Sequence, residues 1–415
     1  MFALVPSVIL IWRCSRGRPA EKLGGMMTPK SRQFWTALHR YSGLLIVAFL
    51  SVAAITGCML SFEGPLDRAF NPDLFRPISE GRVDPIAAVA RLEQGQSNLV
   101  ATSFPLQVPA GQNLVVSVQA RPGAPPLAFD QVFLDRGSGS LVGVRRYGVG
   151  WGRAHVTRDL YALHTNLLFG APGRLVLGAV ALAWLIGNLV GAYLVFPGWT
   201  RSVQAWTRPF AVKWSAVTPR LMLDLHRAFG LWLLAPLTVL AFTSAAMNFF
   251  EEAVAPVVKT VSPPQASPFD APPPRTAVAR TVGFVEALRL AEHQAGLERP
   301  GWRPAVLQVE AERNLIGVRF TRSGRETYHG LGPVTYWFDG ATGRPAYADD
   351  PYRDSVGQKF IRALYPLHSG EVAAVPGVIL DVVLGLVTLG FGVTGVYLWL
   401  KRRPGRVAMR KARRA

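Results

Sequence analysis

The chain has 415 residues, half of them hydrophobic, with 45 Lys and Arg against 26 Asp and Glu and only 2 Cys. A mean hydropathy of +0.22 moves it away from ordinary soluble enzymes and towards a membrane. Two cysteines exclude a disulfide-stapled scaffold, an iron–sulfur cluster and a structural zinc site alike.

In chain order, the leader MFALVPSVILIWRCSRGRPAEKLGG comes first. Its apolar run is too short to span and has no basic residue ahead of it, so it makes a poor signal peptide. Residues 1–25 read as an upstream extension, with Met26-Met27 as the more natural start, and 1–34 as a whole form a basic N-terminus. Four stretches, 41–62, 174–196, 231–250 and 378–400, approach or exceed the about 20 apolar residues that cross a bilayer. They place transmembrane helices within 35–62, 158–197, 221–250 and 359–400, the second and fourth each led by a short pre-helix. Between the first two lies an exported segment, 63–157. It has helical spacing at 85–94, alternating strands at 113–120 and 129–135, and a turn at Asp135–Gly139. The loop 198–220 carries Arg201, Arg208, Lys213 and Arg220 without an acid. The second exported segment, 251–358, begins with the linker PPQASPFDAPPP at 263–274 and repeats the helix (284–294), strands (314–320, 334–339) and turn (Asp339–Gly343). The tail 401–415, KRRPGRVAMRKARRA, is again wholly basic.

The three basic segments hold nearly all of the net charge of +19, and four spans put them on one side. The positive-inside rule makes that side the cytoplasm, with both termini in it. Nucleic-acid binding is excluded, because the basic residues hug span ends and form no single domain face.

The chain is written twice. LHRYSGLL at 38–45 matches LHRAFGLW at 225–232, an offset of 187. LYALHTNLLFGAPG at 160–173 matches LYPLHSGEVAAVPG at 364–377, and GAYL at 191–194 matches GVYL at 395–398, both at an offset of 204. Each copy runs span, exported α+β segment, span. The LHR-x-x-G span, a helix and hairpin ending in [FL]-D-x-x-x-G, and LHT or LHS before a Gly-rich span together resemble the PepSY-associated transmembrane family. The resemblance covers nearly the whole chain, from about Trp35 to Arg403. It implies four transmembrane helices in a duplicated arrangement with two periplasmic α+β PepSY-like domains, in a bacterial inner membrane. It also implies a haem-b reductase that frees iron from ferric siderophores in the periplasm.

Four of the seven histidines repeat, His39 with His226 and His164 with His368. The topology sets the first pair at the cytoplasmic ends of their spans and the second at the exported ends, if helix continues upstream of Pro172 and Pro376. Two imidazoles near each face suit two b-type haems, one per pair, which favours electron transfer over oxygen activation. Gly43 and Gly230, one turn beyond their histidines, would let a porphyrin lie close to the backbone. Arg40 and Arg227 suit its propionates. His155 competes as an exported-side ligand, although its repeat counterpart is Lys359; His293 and His329 read as surface residues. Asp381, inside the fourth span, is a candidate to bond a histidine N–H or take up protons. Asp224 reads as an interfacial residue. Trp151, Arg145, Arg146 and Arg153, with Trp337, Tyr336 and Tyr328 in the matching region of the second copy, are candidates to meet an iron chelate.

The cytoplasmic pieces are too short to house a nicotinamide or flavin domain, and no G-x-G-x-x-G opens a βαβ unit. The electron donor is therefore external: quinol, a cytosolic reductant or another subunit. Two other readings stay open. One is a quinol- or cytochrome-type membrane oxidoreductase with another acceptor; the other is a non-catalytic, membrane-anchored PepSY binding module. A transporter is disfavoured, since nothing but Asp381 suggests the broken helices and midplane polar groups of a substrate path.

Overall fold

The computed structural model describes residues 28–196, 202–274, 279–325 and 330–412, with side chains to residue 401. The leader 1–25, Tyr328 and His329 lie outside the described residues.

The first copy opens with α1 (Pro29–Leu60), started by Pro29 and by the Thr28 hydroxyl, which accepts from the Ser31 amide at 3.2 Å. Short helices α2 (Glu63–Phe70) and α3 (Pro72–Phe75) lead to α4 (Pro85–Gly95) and the strands β1 (Leu99–Pro105), β2 (Leu114–Ala120), β3 (Gln131–Leu134) and β4 (Leu141–Arg145). Then come α5 (Val156–Asn166) and α6 (Gly170–Val195). After α7 (Val203–Thr207), the second copy supplies α8 (Thr218–Trp232), α9 (Leu234–Asn248), α10 (Ala255–Val261) and α11 (Phe284–Glu298). It closes with β5 (Arg303–Glu310), β6 (Leu315–Thr321), β7 (Val334–Asp339), β8 (Pro345–Asp349), α12 (Val356–His368) and α13 (Ala374–Ala412).

Helices α1, α6 and the 371–401 stretch are long and apolar enough to cross a membrane, and α8 with α9 makes a fourth if the bent pair is one span. The unbroken third span expected from sequence is corrected here: α8 and α9 meet at 73° around Leu233. Pro236 explains the break. It has no N–H to offer the carbonyl four residues back, at Trp232, and its ring crowds that carbonyl. The repeat-related position in α1 is Phe49, and α1 runs on without a break. The four segments pack as a bundle, α1 on α6 and α13, α6 on α9, and α8 on α13.

The α+β parts of the two copies are one body. Their strands form a single eight-stranded antiparallel sheet in the order β4-β3-β2-β1-β5-β6-β7-β8, joined where Phe104 of β1 faces Leu307 of β5. Helices α4 and α11 pack on the sheet and share one core, in which Val89, Leu99, Leu114, Ala287, Leu307 and Ile316 are fully buried. The expected turns form as read: Gly139 and Gly343 take φ of 75° and 70°, and their amides donate to Asp135 and Asp339 carbonyls at 2.8 and 2.9 Å.

Candidate functional site: two facing histidine pairs

The bundle brings the four repeated histidines together in two pairs. His39 on α1 faces His226 on α8 with ring centroids 6.3 Å apart and planes at 87°. His164 on α5 faces His368 on α12 at 6.1 Å and 53°. On α1, Thr56, which touches His164, lies seventeen positions after His39. At about 1.5 Å rise per residue, the two pairs therefore stand about 25 Å apart along the bundle.

The helix continuity assumed upstream of Pro172 and Pro376 is not what places the second pair. Helix α5 ends at Asn166, and Leu167 and Leu168 turn the chain with φ of 55° and 64° before α6 begins. In the second copy Gly370 (φ 75°) and Ala374 (φ 55°) separate α12 from α13. Each short helix end is pressed onto the following span at a glycine: a Cβ at Gly173 would sit 1.8 Å from the Asn166 carbonyl oxygen, and one at Gly377 would sit 1.9 Å from that of Gly370. His164 and His368 thus ride on separate helices, folded back against α1 and α9.

Every ring is oriented through Nδ1. In the first copy His39 Nδ1 meets the Gly187 carbonyl at 3.1 Å, and His164 Nδ1 meets the Ala53 carbonyl at 3.0 Å and the Thr56 hydroxyl at 3.1 Å. In the second, His226 Nδ1 meets the Thr394 hydroxyl at 2.9 Å, and His368 Nδ1 meets the hydroxyls of Thr243 at 3.3 Å and Ser244 at 3.4 Å. These hydroxyls have already given their hydrogens to helix carbonyls. Thr56 donates to Val52 at 2.8 Å, Thr243 to Val239 at 2.9 Å, Ser244 to Leu240 at 2.7 Å and Thr394 to Gly390 at 2.7 Å. Carbonyls can only accept, so His39 and His164 carry their proton on Nδ1; the hydroxyls beside His226 and His368, with their hydrogens on helix carbonyls, accept in the same way and leave Nε2 its lone pair. Among the described residues no Nε2 has a hydrogen-bond partner.

The pairs fit axial ligation of a metal carried by a macrocycle. Two imidazoles bonded through one nitrogen each, with bonds of about 2 Å, have centroids about 6 Å apart, close to both observed spacings. Among the described residues no group of three or more His, Cys, Asp or Glu gathers into a metal site, so two axial donors are what each pair offers. Room beside the rings is kept by glycines: a Cβ at Gly57 would meet His164 Cε1 at 3.0 Å, and one at Gly191 would meet His39 Cε1 at 3.1 Å. Gly395 stands in the same place beside His226, at 3.8 Å.

The glycines read from sequence differ from these. No atom lies within 4 Å of a Cβ built at Gly43, and Gly230 approaches only Phe391, at 3.9 Å, so neither touches a histidine. Gly191 and Gly395 open the GAYL/GVYL repeat, and Thr56 and Thr243 share the 187 offset of His39 and His226. The signal for both sets was present in the duplication itself.

Other candidates are redistributed. Arg227 does not stand free: it donates to the carbonyls of Pro209 (2.9 Å), Arg208 (3.3 Å) and Ala211 (3.0 Å) and pairs with Asp224 at 3.0 Å. It pins the connection ahead of α8. Arg40 is half-buried, with no ion-pair partner among the described residues. Asp224 is a buried hub, 1% exposed, that also holds Arg220 at 3.0 Å. Asp381 bonds no histidine, since each Nδ1 already has another acceptor; it lies near Cys58, whose thiol reaches the Val382 carbonyl at 3.6 Å. His155 joins neither pair and is held by the Gly148 carbonyl at 2.7 Å.

Of the chelate candidates, Tyr336 is corrected outright: it is 2% exposed in the sheet core, facing Phe320. Arg146 and Arg153 are exposed and lie near Asp130 (3.9 Å) and Asp73 (2.9 Å), while Trp151 is fully exposed. Arg145 is corrected as well: it is committed to a buried bidentate pair with Asp67, at 2.6 and 2.8 Å, which ties β4 to α2. Two single charges far apart in sequence give no sign of it.

Compared with known families, residues 36–402 match the family described as PepSY-associated TM region. No curated protein matches the chain.

Proposed function

This chain belongs to the PepSY-associated TM family, and from that premise we propose that it is an inner-membrane ferric-siderophore reductase that carries electrons outward on two b-type haems. Four spans, with α8 and α9 as one bent span, put the basic segments and both termini in the cytoplasm, and the sheet, built from two PepSY-like halves, in the periplasm. The reading is carried by one observation: two facing imidazole pairs, at 6.3 and 6.1 Å, with every Nδ1 proton committed.

His39 and His226 would hold one haem, and His164 and His368 the other. Held between two imidazoles, such a haem would supply one-electron transfer and no oxygen activation. The chain's part is to fix the four rings. Gly187 and Ala53 supply carbonyls, and Thr56, Thr394, Thr243 and Ser244 supply hydroxyls that accept the Nδ1 protons, which raises the basicity of each Nε2. The donor on the cytoplasmic side is quinol, a soluble reductant or another subunit. The acceptor is Fe³⁺ in an oxygen-donor chelate, whose grip on iron weakens once it becomes Fe²⁺.

The test is to prereduce detergent-purified protein and mix it anaerobically with ferric siderophore and a ferrous-iron trap. Reoxidation matched by trapped Fe²⁺ supports the reading. Reoxidation only by a quinone or a cytochrome moves the assignment to another membrane oxidoreductase.

A further inference from the structure

The repeat at the sheet-side histidines reaches further than its LYxLH core. Arg158, Tyr161 and His164 on α5 correspond to Arg362, Tyr365 and His368 on α12, all at the offset of 204. The two arginines, alike in sequence, are unlike in surroundings. Arg362 is neutralised twice, by Asp349 and by Asp354, the latter at 2.5 Å. Arg158 has no carboxylate at ion-pair distance among the described residues, and its guanidinium lies over the rings of Tyr161 at 4.6 Å and Tyr147 at 5.2 Å.

The acids around it are engaged elsewhere. Glu63 accepts from the Tyr147 hydroxyl at 2.8 Å, Asp67 holds Arg145, and Asp159 accepts from the Gly150 amide at 3.1 Å. On the α12 side the contrast continues. A cavity of about 520 Å³ opens there between Arg174, Glu251, Phe250 and Tyr365, but Arg174 is paired with Glu252 at 2.5 Å. An anion arriving at this end of the bundle therefore meets arginines neutralised by carboxylates on the α12 side and, on α5, one with no carboxylate partner among the described residues. Stacking on tyrosine faces uses the flat side of a guanidinium and leaves its in-plane N–H donors for a ligand.

We infer that Arg158 is the docking residue for an anionic ferric chelate, of the catecholate or carboxylate class, received on the His164 side of the molecule. The inference rests on the reductase reading and adds to it a substrate charge and a side of approach. A chelate of net negative charge accepts charge-assisted hydrogen bonds from the guanidinium; a tris-hydroxamate chelate, whose three single charges only balance Fe³⁺, gains less. Lipid phosphate is the other source of anionic oxygen at such a boundary.

The experiment uses the full-length, haem-loaded chain in nanodiscs of phosphatidylcholine, with and without phosphatidylglycerol. A ferric tris-catecholate and a ferric tris-hydroxamate of similar size are titrated in, and binding is read as quenching of tryptophan fluorescence; Trp151, in the neighbouring loop, is fully exposed. The wild type is expected to prefer the tris-catecholate by about tenfold, the worth of one charge-assisted bond. Arg158→Gln should lose that preference without weaker tris-hydroxamate binding, and Arg158→Lys should keep part of it. An unchanged preference in Arg158→Gln would overturn the inference, as would none in the wild type. Loss of the preference in phosphatidylglycerol discs would overturn it too, by assigning Arg158 to lipid phosphate. Reduction of both chelates with no Arg158-dependent preference removes the docking site alone. Arg158-dependent binding without reduction of any chelate removes the reductase reading instead.

Discussion

At the scale of single residues, the imidazoles are oriented by carbonyls in the first copy and, in the second, by hydroxyls whose own hydrogens lie on helix carbonyls. Thr394 can only accept from His226, because its hydroxyl hydrogen lies on the Gly390 carbonyl at 2.7 Å. Thr394→Val keeps the shape and removes the acceptor. It should weaken retention of the haem at that pair by about 10- to 100-fold, measured by transfer of haem to an apo-globin trap, and leave the His164–His368 pair as in the wild type. Glycine acts by absence. Gly57→Val would drive side-chain carbons towards His164 Cε1, already 3.0 Å from the position of a Cβ, and should cost the protein the haem at that pair alone. The histidines were legible because a duplication repeats them, and repetition is visible without a fold. Their partners lie at the same offsets, but a threonine or glycine on an apolar helix has an ordinary packing role; only the packed helices show which ones touch a ring.

Among the elements, those with strong periodicity were legible and the others were not. Helix α4 and strands β2 and β7 fall close to where their patterning puts them. Strand β1, with three buried residues in succession, and the edge strands β4 and β8, with largely exposed ones, show no clean alternation and went unread. The break between α8 and α9 was announced by Pro236 and hidden by an otherwise unbroken apolar run. Two element-level predictions concern the sheet. Arg145→Gln leaves Asp67 buried and unpaired, and should lower stability by about 3–5 kcal/mol in chemical denaturation. The Asp135 carboxyl is pushed up by burial, but the Ser79 hydroxyl, the Ser138 and Ile78 amides and the Ser138 hydroxyl outweigh this and hold it well below the usual carboxylate range. Its folded value is depressed, so the stability it contributes is full above the unfolded pKa of about 4 and is lost as pH falls towards the folded value. Asp135→Asn should therefore melt below the wild type at pH 7, with the gap narrowing under pH 4.

For the whole molecule, duplication was read as two units and the structure makes them one. The seam between β1 and β5 continues the sheet, and Phe104 beside it packs on Phe284 of the other copy at 5.3 Å. Sequence could not show this, because the pairing of two edge strands depends on where the spans hold the copies. Phe104→Ala should cost about 3–5 kcal/mol and destabilise both halves of the sheet in one transition, followed by hydrogen exchange of β2 and β6 in the full-length protein. In the bundle, too, each histidine of one copy meets its counterpart in the other. The central claim, that these pairs hold haem, is tested most directly by a reduced-minus-oxidised visible spectrum of the detergent-purified protein, with a pyridine haemochrome to count haem per chain. Two b-type haems per chain is the predicted result. A folded, colourless protein would contradict the account.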